Sequence, residues 1–190
     1  MLSRNETVMH FLLNRRSRVA KTLSTPIPRK DELLELLSAG ARTPDHGKLV
    51  PWRFIVIQKK TLSKLGSIVE KIGIKDSIPE DKIAKSKKQL GDGHLAVAVI
   101  EVQRKSEKIP SIEQTYSAGA VCLALLNAAL AAGWGANWLT GWHVHNREFQ
   151  KSGLELKDNE TIAGLIYIGT ETVKPIDRPR PNIDEIVEWL

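Results

Sequence analysis

The sequence predicts an α+β domain in which helices cover a sheet, and three observations lead to this prediction. Short apolar runs at 54–57, 94–102 and 161–169 have the length and the β-branched composition of buried strands. Segments of helical period stand among them, the longest at 113–133. Strands and helices do not alternate strictly, which argues against a doubly wound parallel sheet. We therefore expect one domain over residues 1–190.

The first half of the chain predicts two helices and then a lysine-rich helical region. Residues 5–14 have apolar side chains at helical spacing, and 28–41 begin near a proline and carry acidic residues early. Residues 61–90 predict one or two surface helices that break near 77–79, and whether they form a lid is left open. The buried stripe expected for the second helix consists of Leu33, Leu34, Leu36 and Leu37.

The second half predicts a central helix, a short extended segment and a proline-rich tail. The segment 113–133 is apolar nearly all round, so we expect burial on all sides, and its small residues would let another helix approach closely. Residues 135–141 predict a short strand or extended segment, and 146–152 a short helix. The tail should cross the surface before a final element at 183–190.

Composition and charge narrow the class of protein. A hydrophobic fraction of 42%, a charged fraction of 26% and a net charge of +6 are ordinary for a soluble domain. The basic residues form no dense stripe, so we expect no nucleic-acid partner. The single cysteine, Cys122, excludes an intramolecular disulfide and stands among apolar residues as an inert thiol. No segment reads as a signal peptide or membrane span, so we expect a cytoplasmic protein.

Two arginine clusters are candidates for binding an anion. Arg15, Arg16, Ser17 and Arg18 follow the first helix, and guanidinium groups beside a hydroxyl suit phosphate oxygens. A solvated basic helix end is the alternative for this cluster. The segment 178–180 holds Arg178 and Arg180 on either side of a proline that stiffens the backbone.

Three other motifs leave their chemistry open. Asp45 and His46, in RTPDHGKLVPWRF, suggest an oriented base, but no recognisable nucleophile accompanies them. The segment 133–142 mixes tryptophan with glycine, which suits either core packing or close approach of a planar ligand. The segment 143–145 (HVH) would form half of a metal site if extended, without the other half, so we expect no metal. The nucleotide-binding patterns GxGxxG and GxxxxGK[ST] are absent.

The order of these motifs resembles that of the FMN-dependent nitroreductase family. The likeness rests on RRS after the first helix, PDHGKLVPW after the second, the helix that runs into GWGANWLTGW, and IYIGT followed by RPR. It covers nearly the whole chain and is greatest to a small subfamily with PDH, rather than PS, before the PW dipeptide. The resemblance implies a mostly antiparallel central sheet sandwiched by helices, in a domain-swapped type of homodimer with FMN at the interface.

The resemblance also implies which residues bind FMN. Arg15, Arg16 and Ser17 would lie at the ribityl-phosphate part, and Arg178 and Arg180 would clamp the phosphate. The backbone of Leu139, Thr140 and Gly141 would lie near the flavin ring. The partner chain would contribute Pro44, Asp45, His46 and Lys48.

Departures from the family pattern concern the ring end of the flavin. Many relatives carry a base two residues after the serine, near flavin N1 and O2, where this chain has Val19. Either Arg18 or another group replaces that base, or the reduced flavin is less stabilised. The usual asparagine and glutamine of the PW loop are Lys48 and Val50.

By resemblance, the expected activity is a ping-pong transfer of hydride from NADH or NADPH, through FMN, to a nitroaromatic, a quinone or a similar small molecule. No side chain is expected to be catalytic, because the flavin carries the chemistry. A flavin-binding sensor or store without turnover is the first alternative. A basic nucleic-acid-binding protein is the second.

Overall fold

The computed structural model describes residues 3–190, and it contains an antiparallel sheet with helices on both faces. The helices are α1 Glu6–Asn14, α2 Lys30–Gly40, α3 Lys59–Lys75, α4 Glu80–Asp92, α5 Ser111–Ala131, α6 Trp142–His145 and α7 Arg147–Leu154. The strands are β1 Leu23–Ser24, β2 Trp52–Gln58, β3 Leu95–Val102, β4 Gly135–Leu139 and β5 Glu160–Glu171. Short 3-10 turns occur at Ala20–Thr22, His46–Lys48 and Ile183–Glu185.

The strand β5 organises the sheet. It pairs antiparallel with β3, β4 and β1, and β3 pairs antiparallel with β2. Thr161, near the start of β5, lies opposite Glu101, and Ile168, near its end, lies opposite Ala136. The expected mostly antiparallel sheet is thus confirmed, and every pairing within residues 3–190 is antiparallel.

Both faces of the sheet are buried, which explains the uninterrupted apolar run of β3. Ala96, Ala98 and Ile100 pack with side chains of α3, α4 and α7. Val97 and Val99, which point the opposite way, pack with side chains of α2 and α5. The sandwich of helices predicted from the sequence is therefore confirmed.

The helical region between β2 and β3 is a pair of packed helices. α3 and α4 are separate, with the break near 77–79 as predicted. Leu62, Leu65 and Val69 of α3 and Leu90 of α4 are buried in the core below them.

Burial differs from expectation on two helices. Leu33 and Leu36 of α2 are buried, whereas Leu34 is exposed, because a helix against one sheet buries only one stripe. The prediction that α5 is buried on all sides is wrong for the single chain. Tyr116 and Leu123 on α5 are exposed, and a β-carbon on Gly119 would meet no atom within 4 Å.

The end of the chain contains less regular structure than expected. Of the predicted element at 183–190, only the 3-10 turn Ile183–Glu185 forms.

α5 is also the one helix within residues 3–190 that is long and apolar enough to cross a membrane. Val121, Leu125 and Ala129 of this helix are buried in the core. The core helix of a soluble protein passes the same test of length and composition, so α5 is weak evidence for a membrane span.

Candidate functional site

The first candidate wall consists of Arg15, Arg16, Ser17, Arg18 and Arg180, and we call it the arginine wall. Its first four residues follow α1 and run beside the outer strand β4. The Arg18 amide donates to the Ala136 carbonyl (2.8 Å), and Asn137 Nδ2 donates to the Arg18 carbonyl (2.5 Å). These bonds hold the RRSR segment against the sheet.

The C-terminal segment closes over the arginine wall. Arg16 Nη2 donates to the Ile176 carbonyl (3.0 Å), and Arg180 Nη2 donates to the Arg15 carbonyl (3.3 Å). Within the wall, Arg15 Nη2 donates to Ser17 Oγ (3.2 Å). Two clusters that are about 165 residues apart in sequence therefore meet, as the resemblance implied.

The arginine wall has more positive charge than its acidic neighbours neutralise. Glu171 lies 3.0 Å from Arg18 Nε, and Asp177 lies 3.9 Å from Arg16 Nε and 3.5 Å from Arg180 Nη2. Burial and then the charges of Arg180, Arg16 and Arg18 lower the pKa of Arg15 from its usual value.

The wall also contains donors without acceptors. The Nε atoms of Arg15 and Arg16 are buried and have no hydrogen-bond partner within residues 3–190. Buried charged donors are normally paired, so the wall fits an anion with several oxygens, such as a phosphate group.

Arg178 differs from Arg180, although both were predicted to clamp a phosphate. The Arg178 amide binds its neighbour Asp177 (2.8 Å), and its guanidinium group makes no hydrogen bond or salt bridge to the described part of the chain. The structure therefore joins Arg180 alone of this pair to the arginine wall.

A recess of about 270 Å³ opens beside the arginine wall, between Val19 and Leu139. It is lined from α4 by Lys85, Lys88 and Gln89. Positively charged side chains from other elements lie near Val19. Arg18 is paired with Glu171, whereas Lys21, Lys85 and Lys88 line the recess together with Asp92, which lies 2.7 Å from Lys88 Nζ.

The lysines of α4 were not among the residues predicted to bind a ligand. Their spacing places them near one another on a helix, but no sequence signal indicates that this face meets Val19. Of the three residues predicted to lie near a flavin ring, Leu139 lines the recess, whereas Thr140 and Gly141 follow it in the chain and do not.

The second candidate wall is the segment 44–50, which we call the loop wall, and Ser117 of α5 anchors it. Ser117 Oγ donates to the Pro44 carbonyl (3.0 Å) and accepts from Trp52 Nε1 (3.2 Å). Asp45 Oδ2 accepts from the Val50 amide (3.0 Å). Asp45 is thus used to close the loop, not as the partner of His46 that the sequence suggested.

The backbone of the loop wall lies in the left-handed region at three positions. Gly47 has φ 71°, Lys48 has φ 55° and Val50 has φ 46°. The positive φ favours glycine at position 47, where a β-carbon would also require the Cδ1 end of the Ile109 side chain to move. For a β-branched residue such as Val50 this conformation is strained, and such strain concentrates at functional sites.

His46 is held by a carboxylate from another element. Its Nδ1 lies 2.6 Å from Oε2 of Glu113, in the first turn of α5. The side chain of His46 is 61% exposed and that of Glu113 is 42% exposed. The imidazole is therefore oriented on one side and open to solvent on the other.

The two walls lie at opposite ends of the sheet. Arg18 binds Ala136, opposite Ile168 of β5, whereas Trp52 at the end of the loop lies opposite Glu101, which pairs with Thr161. Positions 161 and 168 are about 23 Å apart at a rise of about 3.3 Å per residue. The structure does not bring Pro44, Asp45, His46 and Lys48 to the arginine wall of the same chain.

The remaining candidates contribute to packing. The HVH segment is helical instead of extended, and His143 is buried against Trp142 and Phe149, where burial lowers its pKa to about 4. Within residues 3–190 no group of three or more histidine, cysteine or acidic residues could hold a metal ion. Cys122 is buried, which raises its pKa to about 12 and agrees with an inert thiol.

Comparisons with known proteins match this architecture. The Nitroreductase family matches residues 12–170. The chain is 30% identical over 166 residues to "Putative NAD(P)H nitroreductase YdjA" of Escherichia coli K12, covering 87% of this chain and 89% of that relative. It is 29% identical over 151 residues to a "Putative NAD(P)H nitroreductase" of Haemophilus influenzae, covering 79% and 82%.

Solved structures share the fold at lower identity. A nitroreductase-like family protein from Bacillus cereus superposes with a TM-score of 0.81 at 23% identity, covering 100% of this chain and 99% of that one. A "putative nitroreductase in complex with FMN" from Desulfovibrio desulfuricans gives a TM-score of 0.77 at 18% identity, covering 99% of each chain. The sequence motifs, the helix-covered antiparallel sheet and the family match agree, and the chain belongs to the nitroreductase family.

Proposed function

We propose that this protein is a cytoplasmic FMN-dependent oxidoreductase and that residues 1–190 form one FMN-binding domain. The observation that carries the proposal is the arginine wall, whose buried Nε donors on Arg15 and Arg16 lack partners within residues 3–190. The names of the relatives, which include NAD(P)H nitroreductase and an FMN complex, support the same cofactor and the same electron donors.

Different residues of the chain bind the phosphate and the ring of FMN. Arg15, Arg16, Ser17 and Arg180 hold the phosphate, and Arg178 adds long-range attraction only. The backbone of 139–141 lies along the ring. Lys21 and Lys85 supply the positive charge that Val19 cannot, at the edge of the recess, whereas Lys88 is paired with Asp92.

FMN, when bound, supplies the two-electron chemistry, which takes hydride from NADH or NADPH and delivers it to a nitroaromatic or quinone in a ping-pong cycle. The chain's own residues bind and orient: the arginine wall fixes the phosphate end, and the lysines of the recess neutralise charge at the ring end. These lysines favour a working oxidoreductase over a flavin store without turnover.

The active unit in this proposal is a homodimer in which each FMN lies between the arginine wall of one chain and the loop wall of the other. Within one chain, the β5 positions beside the two walls are about 23 Å apart along the sheet, which supports a site shared between two chains.

Apolar surfaces of the single chain support this dimer. α1 has no buried residue, and Leu12 and Leu13 of α1 are exposed along with Tyr116 and Leu123 of α5. Such apolar surface is typical of obligate interfaces.

The first test is the colour and turnover of the purified protein. We expect a yellow preparation that releases FMN on denaturation and oxidises NADH or NADPH when a quinone or nitroaromatic is added. Bound FMN without oxidation of either donor would instead support the flavin store. A colourless protein that binds no added FMN would contradict the proposal.

The second test uses two variants with defects in different walls. Arg15→Ala with Arg180→Ala removes the arginine wall, and Lys48→Glu reverses the charge of the loop wall at a residue other than His46. After unfolding and refolding of an equal mixture, half of the dimers are mixed and each contains one intact site. The mixture should therefore bind FMN at about a quarter as many sites as the wild-type protein. If both walls served the same chain, mixing would restore nothing.

A further inference from the structure

We propose that His46 is a proton donor to the acceptor reduced in the partner's site, and that Glu113 positions its imidazole. This inference rests on the proposed function, because His46 meets a flavin only if the loop wall faces the partner's arginine wall. It assigns a catalytic side chain to a site in which the sequence predicted none.

The contact between His46 and Glu113 fixes which nitrogen is available. Nδ1 faces the Glu113 carboxylate at 2.6 Å, so Nδ1 carries a hydrogen and donates it. Nε2 makes no hydrogen bond within residues 3–190 and belongs to a side chain that is 61% exposed, so it is the nitrogen available to a substrate. A carboxylate accepts this hydrogen bond from Nδ1 in both the neutral and the protonated ring, so the orientation is kept through the proton transfer.

The loop wall keeps His46 in place on both sides. Pro44 is bound by Ser117, and Asp45 is bound by the Val50 amide. Because Asp45 is engaged with this amide, Glu113 is the carboxylate left to orient the ring. Ser117 and Glu113 both belong to α5, so one rigid helix sets the loop and the imidazole together.

Other imidazoles of the described chain do not share this arrangement. His143 is buried, and neither of its ring nitrogens has a hydrogen-bond partner within residues 3–190. His10 is exposed on α1, and its side chain makes no hydrogen bond or salt bridge to residues 3–190. The side chains of His94 and His145 likewise make no hydrogen bond or salt bridge, so within residues 3–190 an exposed imidazole held by a carboxylate is found at His46 alone.

The chemical need for a proton follows from the reaction. Addition of hydride to a quinone transfers two electrons and one hydrogen nucleus and leaves an oxyanion. The Nε2–H bond of protonated His46 breaks and an O–H bond forms, which gives the neutral hydroquinone. Neutral His46 keeps its Nδ1–H on Glu113 and recovers a proton at Nε2 from water.

The experiment separates proton delivery from cofactor binding. We would prepare the FMN-loaded wild type, His46→Gln, Glu113→Gln and the control His10→Gln. In anaerobic stopped-flow experiments each protein is first reduced with NADH or NADPH and then mixed with benzoquinone or with ferricyanide. Ferricyanide accepts single electrons and needs no proton, so it serves as an internal control. The dissociation constant of FMN is measured on the same variants.

The expected results differ between the two acceptors. His46→Gln should slow reoxidation by benzoquinone about 100-fold, as is typical when a general acid is lost. Glu113→Gln should slow it about tenfold, since the imidazole remains but is less well oriented. Reoxidation by ferricyanide and the FMN dissociation constant should change less than about threefold, and His10→Gln should behave as wild type.

Two outcomes would overturn the inference. Unchanged benzoquinone rates in His46→Gln would show that the proton comes from elsewhere. Equal losses with both acceptors, or loss of FMN, would make His46 a binding residue only. Failure of the wild-type protein to be reduced by either nucleotide would refute the proposed function instead, so the two failures are distinguishable.

Discussion

Arg53 and Arg15 lie at opposite ends of the same sheet and have opposite environments. Arg53 follows Trp52 and binds both carboxylate oxygens of Glu160, at 2.8 and 2.9 Å. The hydrogen bonds that Arg53 donates to Glu160 raise the pKa of Arg53. Arg15 lies among other arginines, and burial and their charges lower its pKa.

This difference separates an arginine that stabilises the fold from arginines that, in the proposed function, bind the phosphate of FMN. At the Arg53 end, charge is neutralised inside the chain, and the shape of the loop wall is fixed by hydrogen bonds and left-handed backbone. At the Arg15 end, charge is concentrated and left partly unneutralised. Repulsion among the arginines and their partial burial destabilise the folded chain. Binding of an anion would offset this destabilisation.

The largest expected effect is on the affinity for FMN at the arginine wall. Arg15→Ala should weaken FMN binding about 100-fold, because a charge-assisted bond to the phosphate is lost. Arg178→Ala, which removes a guanidinium group outside the wall, should weaken it less than about threefold. Titration of the apoprotein by flavin fluorescence measures both. Equal losses in the two variants would mean that the wall is not the phosphate site.

The next effect concerns the stabilising pair at the other end. The bond from Arg53 lowers the pKa of Glu160 to about 2, from a usual value of 4.5. Because the folded pKa lies below the unfolded one, the stabilisation is complete above pH 4.5 and is lost as the pH falls towards 2. We expect Glu160→Gln to lose about 2 kcal/mol at pH 7, after allowance for the partly exposed Arg53, and to show a flatter acid dependence.

Urea denaturation at a series of pH values tests this expectation. Glu148→Gln is a matched control, since Glu148 pairs with Lys75 on the surface and should contribute less than about 1 kcal/mol. A loss in Glu160→Gln no larger than that of the control would remove the contrast between the two arginines.

A smaller effect is expected where α5 anchors the loop wall. Ser117→Ala leaves the buried Trp52 Nε1 without its acceptor and the Pro44 carbonyl without its donor, at a cost of about 1–2 kcal/mol. Ser38→Ala, which removes a hydroxyl bound to its own helix, should cost under about 0.5 kcal/mol. Chemical denaturation at pH 7 compares them, and no difference would mean that Ser117 does not anchor the loop.

The smallest effect tests the strain of the loop wall. Val50→Gly removes the β-carbon at φ 46° and should stabilise the fold by up to about 1 kcal/mol. Val173→Gly, at an exposed position without positive φ, should destabilise slightly. Thermal unfolding of the two variants should shift the midpoint in opposite directions, and a lower midpoint for Val50→Gly would show that the backbone is not strained.

The sequence was most informative where one short segment carries the signal. Strands such as 94–102 and the break between α3 and α4 follow from local pattern, and the RRS and RPR motifs identify residues that do meet, Arg15 and Arg180. Local pattern could not separate Arg180 from Arg178, because that choice depends on how the tail crosses Arg15.

Contacts between segments that are distant in sequence could not be predicted from local sequence pattern. The pairing of His46 with Glu113 joins positions 67 residues apart, and the lysines of α4 reach Val19 through the packing of two helices. The adjacent residues Asp45 and His46 suggested a hydrogen-bonded pair that the structure does not form. Asp45 binds the Val50 amide, and His46 binds Glu113.

The separation of the two walls has a consequence for handling the protein. A binding site assembled from two chains exists only at concentrations at which those chains associate, so cofactor retention becomes a matter of mass action. Dilution would then release FMN, and the yellow colour would be lost, even when the concentration of free FMN exceeds the dissociation constant of the intact site. Added flavin would in turn hold the subunits together, and the colour of the solution would report on association.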